Sequence, residues 1–158
     1  MGRIVAGFLA GVLAVLVFHQ PMGILLAKAG LLPTFAPYNM AAHASAYPAV
    51  AEFFKSVGFA GWPIIFNQCF WGGVWGIVFA MLYGIIPGGN AIVKGLVFGL
   101  LLVIISNWIV LPYIQTWRGI PNQTYFAGFV PQRMLIGLAF QLAFGLGLAI
   151  FYRMLRRA

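Results

Sequence analysis

One carboxylate side chain, Glu52, has to serve a chain of 158 residues. A soluble domain covers its surface with charge, and charged residues normally make up about a quarter of it. Here they are 6%, against 63% apolar residues. Such a surface suits hydrocarbon, where uncompensated charge is costly and apolar side chains are not. The same shortage removes most acid–base and ion-coupled chemistry, which depends on paired or buried carboxylates.

Crossing the roughly 30 Å hydrocarbon layer takes about 20 mostly apolar residues in a helix. Four stretches qualify, at about 4–29, 62–86, 91–117 and 131–155. The chain therefore reads as all-α and polytopic, residues 1–158 forming a single four-helix transmembrane domain with no room for a soluble one. One connection is long, about 30–61. The first apolar run exceeds the roughly 7–15 residues of a secretory leader. It is expected to be a retained span, although Ala27-Lys28-Ala29 looks like a cleavage site.

The net charge of +8 comes from nine Lys and Arg residues placed at span ends. There they anchor and orient helices, so nucleic acid is not an expected partner. Arg3, Lys94, Arg153, Arg156 and Arg157 fall on one side of the membrane; Lys28, Lys55, Arg118 and Arg133 fall on the other. The arginine tail, and the short Pro87-Gly88-Gly89-Asn90 turn with Lys94, favour both termini in the cytoplasm. Cys69 is a single cysteine and forms no internal disulfide.

The chain also looks duplicated. Ile4-Val5-x-Gly7-x-x-x-Gly11 matches Ile92-Val93-x-Gly95-x-x-x-Gly99, an offset of 88 residues from Gly7 to Gly95. The same offset pairs His19 with Asn107 and Pro33 with Pro121. In the second helices, the segment from Trp75-Gly76 to Tyr83 resembles the one from Phe144-Gly145 to Tyr152, an offset of 69 residues from Gly76 to Gly145. The expected arrangement is two tandem, parallel two-helix repeats related by an axis along the membrane normal. Gly7/Gly11, Gly72/Gly76 and Gly95/Gly99 are small-xxx-small pairs, and Gly137 and Gly145 continue the pattern on either side of Gln141. Such pairs let helix backbones approach closely in lipid. They serve internal packing of the bundle first, and an oligomer seam second.

Polar residues within the spans cluster at one depth. His19 and Gln20, Asn67 and Gln68, Ser106 and Asn107, and Gln132 and Arg133 all fall in the outer half once helix directions alternate. Pro21 and Pro112 lie in the same half and free backbone carbonyls there. One reading is an outward-facing polar vestibule that binds a ligand through His19, Gln20, Asn67, Gln68, Ser106, Asn107 and Arg133. The other is interhelical hydrogen bonding, worth about 0.6–2 kcal/mol per bond. A short helix at about 47–57 groups Val50, Phe53, Phe54 and Val57 on one face, as expected of a segment lying in the interface or over the vestibule. Trp62 and Trp117 fit an aromatic belt, whereas Trp71, Trp75 and Trp108 are expected to pack deeper.

Catalysis finds little material. Glu52 has no carboxylate partner, and Ser45, Ser56 and Ser106 lack a nucleophile-elbow context. No spacing of His, Cys and Glu suits a zinc site, so no metal and no enzymatic activity are expected. His19 with His43, or Met40 with His43, leave haem ligation open, but a histidine two residues before a proline is also an ordinary kink feature.

Phe18-His19-Gln20, the Phe70-Trp71-Gly72-Gly73-Val74-Trp75-Gly76 string and Arg133-Met134-Leu135-Ile136-Gly137 resemble small bacterial inner-membrane proteins with four spans. The resemblance covers most of the chain and implies location and fold, with no activity attached. The first loop is longer than it leads one to expect. The leading functional expectation is a non-catalytic accessory or assembly subunit of an inner-membrane complex, in contact with membrane lipids and with a membrane-protein partner or a second copy. Binding or transport of a small amphiphile, such as a lipid or quinone, is the alternative, and a haem-linked redox subunit is the third.

Overall fold

The computed structural model describes residues 2–44 and 47–157. Its helices, in order, are α1 (Arg3–Lys28), α2 (Pro48–Ser56), α3 (Ile64–Leu82), α4 (Ala91–Trp117) and α5 (Pro131–Arg157). Among the described residues there is no strand, only an isolated bridge between Ala42 and Pro63. α1, α3, α4 and α5 are each long and apolar enough to cross a membrane. The fold is thus all-α with four candidate spans. Ser45, considered above as a nucleophile, lies outside the described residues.

The second span is shorter than the expected 62–86. The loop claims its first residues: the His43 N–H donates to the Trp62 carbonyl at 2.8 Å and Pro63 sits in extended conformation before the helix. At the other end, the N–H groups of Ile85 and Ile86 both turn back onto the Leu82 carbonyl, ahead of Pro87. The 19 residues that remain still give about 28 Å at 1.5 Å per residue, enough for the hydrocarbon layer.

α1 packs along α3, α4 along α5, and α1 also along α5. α3 and α4 touch through the Phe79–Phe98 ring pair, centroids 5.2 Å apart. The closest approaches are backbone to backbone. A Cβ on Gly7 would lie 2.5 Å from the Gly76 carbonyl oxygen, and one on Gly11 2.6 Å from the Gly72 carbonyl carbon. On α4, a Cβ on Gly95 would lie 2.5 Å from the Ala149 Cβ and 3.1 Å from the Gly145 carbonyl carbon. A Cβ on Gly99 would lie 3.0 Å from the Gln141 carbonyl carbon. Lipid tails are as apolar as leucine, so helices in lipid associate through such contacts and not through a hydrophobic force. Other glycines receive rings: Phe8 lies on Gly73, Phe18 on Gly147 and Phe35 on Gly23. Gly137 packs more loosely, a Cβ there meeting Val103 Cγ2 at 3.3 Å.

The prolines do not break their helices. α1 is π-helical over Val15–His19, just before Pro21, and α4 over Val103–Val110, just before Pro112. A π-turn shifts each hydrogen bond to the fifth residue back. The Gln20 N–H reaches Val15 and the Leu111 N–H reaches Ser106 in this way. The ladder absorbs each proline by widening.

Helix ends are finished by side chains. The Asn90 Oδ1 accepts from the Val93 N–H at 2.9 Å, the usual N-cap arrangement. At the C-terminus of α3, Arg3 Nε donates to the Ala80 carbonyl at 2.6 Å and Lys94 Nζ to the Tyr83 carbonyl at 2.7 Å. Both cations sit where the helix dipole favours positive charge. The long loop is stitched down at the far end. The Ile64 and Ile65 N–H groups donate to the Ala41 and Asn39 carbonyls, and Phe54 of α2 packs on Phe59, Phe66 and Trp62.

Gly11→Val is therefore expected to force α1 off α3. Overpacking of this kind costs about 1–3 kcal/mol, read as a lowered melting temperature in detergent. Gly84→Ala, where an added Cβ meets nothing within 4 Å, should leave the melt unchanged.

Candidate functional site

The hydrogen bonds of the polar residues in the spans fall into separate groups. Gln20 is almost completely buried. Its Nε2 donates to Gln68 Oε1 at 2.7 Å, and its own Oε1 accepts the Tyr38 N–H at 2.9 Å. One glutamine thus joins α1, α3 and the loop. Tyr38, in left-handed conformation with φ 52°, donates its hydroxyl to the Leu16 carbonyl at 3.0 Å. That carbonyl lies in the stretch where Pro21 and the π-turn disturb the ladder.

On the other hairpin, Gln141 Nε2 donates to Asn107 Oδ1 at 3.2 Å, joining α5 to α4. Gln132 Nε2 reaches the Leu31 carbonyl at 2.9 Å and ties the start of α5 to the loop just after α1. Arg133 is exposed beside it, and Asn67 and Ser106 are half-buried on α3 and α4. His19 lies between α1 and α5 with its ring 4.5 Å from that of Phe140. Its Nδ1 is buried without a hydrogen-bond partner. His43 belongs to the loop stitch, not to this contact. Among the described residues, no three His, Cys, Asp or Glu side chains come together in a way that would hold a metal ion.

Of the tryptophans expected to lie deep, Trp75 packs against the core and Trp108 against Phe126 at 6.0 Å. Trp71 instead is half-exposed on the outer face of α3. Periodicity alone does not distinguish these faces, because α3 is apolar all round.

Sequence reasoning missed a groove between α1 and α5. It has a volume of about 420 Å³ and is lined by apolar side chains, among them Phe18, Pro21 and Met22 of α1, Leu96 of α4, and Leu142 and Leu146 of α5. It takes the face of α1 next to the Gln20 face. A sequence signal for it is Pro21, which stands within α1 at the groove.

No protein-family model, curated protein or solved structure matches the chain. The residues themselves carry the functional argument.

The Gln20–Gln68 bond gives a direct test of how much the polar cluster holds. In a double-mutant cycle of Gln20→Leu and Gln68→Leu, unfolding in detergent should show a coupling of about 0.6–2 kcal/mol. Gln20→Leu should be the costlier single change, because it also strands the Tyr38 N–H. Strict additivity would show that the bond contributes nothing.

Proposed function

We propose that this protein is a non-catalytic integral protein of the bacterial inner membrane, an accessory or assembly subunit of a larger membrane complex, with both termini in the cytoplasm. The observation that carries the reading is how the polar groups in the spans are used. Gln20, Gln68, Asn107, Gln132 and Gln141 are turned on each other, on the loop or on backbone carbonyls. The outward surface is left to apolar and aromatic side chains, including Phe66, Phe70 and Trp71 along α3. Polar groups in hydrocarbon seek partners, and these five stiffen one chain, leaving large apolar side chains for neighbours. The orientation is supported by the five cations at the end where the chain starts and stops, against four at the other.

The bundle, in this reading, is two parallel copies of a two-helix unit. Its support is a correspondence of contacts. Gly7 meets Gly76 and Ala80, and Gly95 meets Gly145 and Ala149; Gly11 meets Gly72 and Gly73, and Gly99 meets Gln141 and Leu142. Residues of the second set follow their counterparts by 88 positions in the first helices and by 69 in the second. The π-helical stretches begin at Val15 and Val103, again 88 apart.

Native mass spectrometry of the untagged protein, gently extracted from its own membranes, should give a reproducible heteromeric mass. A stoichiometrically lone chain would defeat the accessory-subunit reading.

A second reading, binding of a small amphiphile, is favoured by the groove of about 420 Å³, whose apolar lining suits the tail of a lipid or quinone. In that case a monomer or homodimer should carry a small extra mass, and Ala139→Phe, which puts a ring into the groove, should remove it without lowering the melting temperature. An extra mass unaffected by Ala139→Phe would place the ligand elsewhere.

A further inference from the structure

The first loop does not stay outside the helices. Tyr38 donates its N–H to Gln20 Oε1, and Gln20 in turn bonds Gln68. Gln68 stands four residues past Ile64, the first residue of α3, which is about 6 Å along the helix. The Tyr38 hydroxyl goes further, to the Leu16 carbonyl. Val15, the residue before Leu16, lies over Gly72, eight residues past Ile64 and about 12 Å along. With its 19 residues, α3 is just long enough for the hydrocarbon layer, so its ends mark the two faces of that layer. The chain therefore enters the layer after α1, turns at Tyr38, and leaves along the start of α3. There the Asn39 and Ala41 carbonyls accept from the Ile65 and Ile64 N–H groups.

This re-entrant segment, residues 33–42, is not sealed by the rest of the chain. Phe35 is seated on Gly23 and against Phe140, yet Pro33, Ala36, Pro37, Tyr38, Met40 and Ala41 are exposed. Its backbone is only partly used. The Tyr38 and Ala41 N–H groups bond the Gln20 and Asn39 side chains. The N–H groups of Phe35, Ala36, Asn39 and Met40 meet no acceptor among the described residues.

Neither lipid nor water suits such a surface. Irregular backbone at membrane depth persists only where protein buries it or water fills the space beside it, which excludes lipid. A water-filled crevice calls for a polar lining, but no Asp, Glu, Lys or Arg occurs from Ala29 to Ala51, and the exposed side chains of the segment are mostly proline, alanine, tyrosine and methionine. Apolar side chains between bare peptide groups, with alanines that admit close approach, suit a helix of another chain. A second copy is the poorer candidate, because five polar side chains of its spans, Gln20, Gln68, Asn107, Gln132 and Gln141, are already bonded within the chain. We propose that residues 33–42 are an intramembrane docking surface for a transmembrane helix of a partner protein, one that presents hydroxyl or carboxamide acceptors to these N–H groups. The surface rests on the accessory-subunit reading and says where on the chain the partner sits.

The test uses the full chain in its own membranes, opened to both faces. In a Cys69→Ala background that melts with the parent protein, Met40→Cys and Lys55→Cys are treated with a charged, membrane-impermeant maleimide. Lys55, exposed on α2, reports contact with water, and Met40→Cys should react at least about tenfold more slowly. A benzophenone amino acid in place of Met40, irradiated in the same membranes, should cross-link to a membrane-spanning segment of another protein, at a peptide with Asn, Gln, Ser or Thr within one turn. The same protein should account for the heteromeric mass. Placed instead at Ile105, which is exposed on α4, the benzophenone should not capture that peptide. Equal reaction rates at the two cysteines overturn the proposal in favour of a water-filled crevice. Cross-links to lipid alone, or to a second copy of the chain, overturn it as well. A heteromeric mass without a cross-link from position 40 keeps the accessory-subunit reading and removes only this surface, whereas a lone chain removes both.

Discussion

Everything in this bundle depends on four places where helix backbones touch with no side chain between them. In water, burial of apolar area would draw the helices together, but lipid removes that force. What remains is mainly dispersion, which falls off within a fraction of an ångström, helped by interhelical hydrogen bonds. Gly7 and Gly11 opposite Gly76 and Gly72, and Gly95 and Gly99 opposite Gly145 and Gln141, bring α1 to α3 and α4 to α5 at the closest distance a helix pair allows. The steps of four on one helix run against steps of four on its neighbour, so the contact fixes register as well as distance. An added methyl group at any of these points meets a carbonyl group of the facing helix, which has no rotamer to change.

Close packing creates the second constraint, because each proline leaves backbone groups that hydrocarbon will not solvate. The chain answers it twice. The π-turns before Pro21 and Pro112 re-route the ladder. Where α1 is still disturbed, the loop supplies the donor: Tyr38 gives its hydroxyl to Leu16 and its N–H to Gln20. Phe35 in the Gly23 notch seats the same stretch of loop against α1. The long first loop is thus part of the helix bundle's hydrogen-bonding scheme, with its left-handed Tyr38 held by two bonds.

Much of this was legible beforehand. Hydropathy marked the four spans, because runs of this length have one physical use, and the glycines at intervals of four marked the faces that meet. The polar residues were legible as a set, but not all as pairs. Gln20 could be seen to need a partner; that the partner is Gln68 and not Asn67 follows from the α3 face marked by Gly72 and Gly76, which Gln68 continues one turn earlier. α3 is otherwise apolar on all sides, and the lack of a periodic signal put Trp71 inside when it faces out. π-turns leave no sequence mark beyond a proline a few residues on.

The proposed repeat is inexact, and its departures have physical causes. In the proposed repeat, Phe18 corresponds to Ser106 and Gly147 to Val78. Phe18 sits in the notch at Gly147 and draws α1 against α5. At the corresponding place a serine would face a valine, with neither a ring to insert nor a notch to receive it. α3 and α4 meet instead through Phe79 and Phe98, rings that hold helices further apart than glycine does. One side of the bundle is therefore joined by a ring in a notch and the other by two buried rings in contact, so the groove beside Phe18 has no duplicate dictated by the repeat. In the proposed repeat, substitutions at a few contact positions give the two halves different faces, while Tyr83 and Tyr152 touch at the end of the bundle.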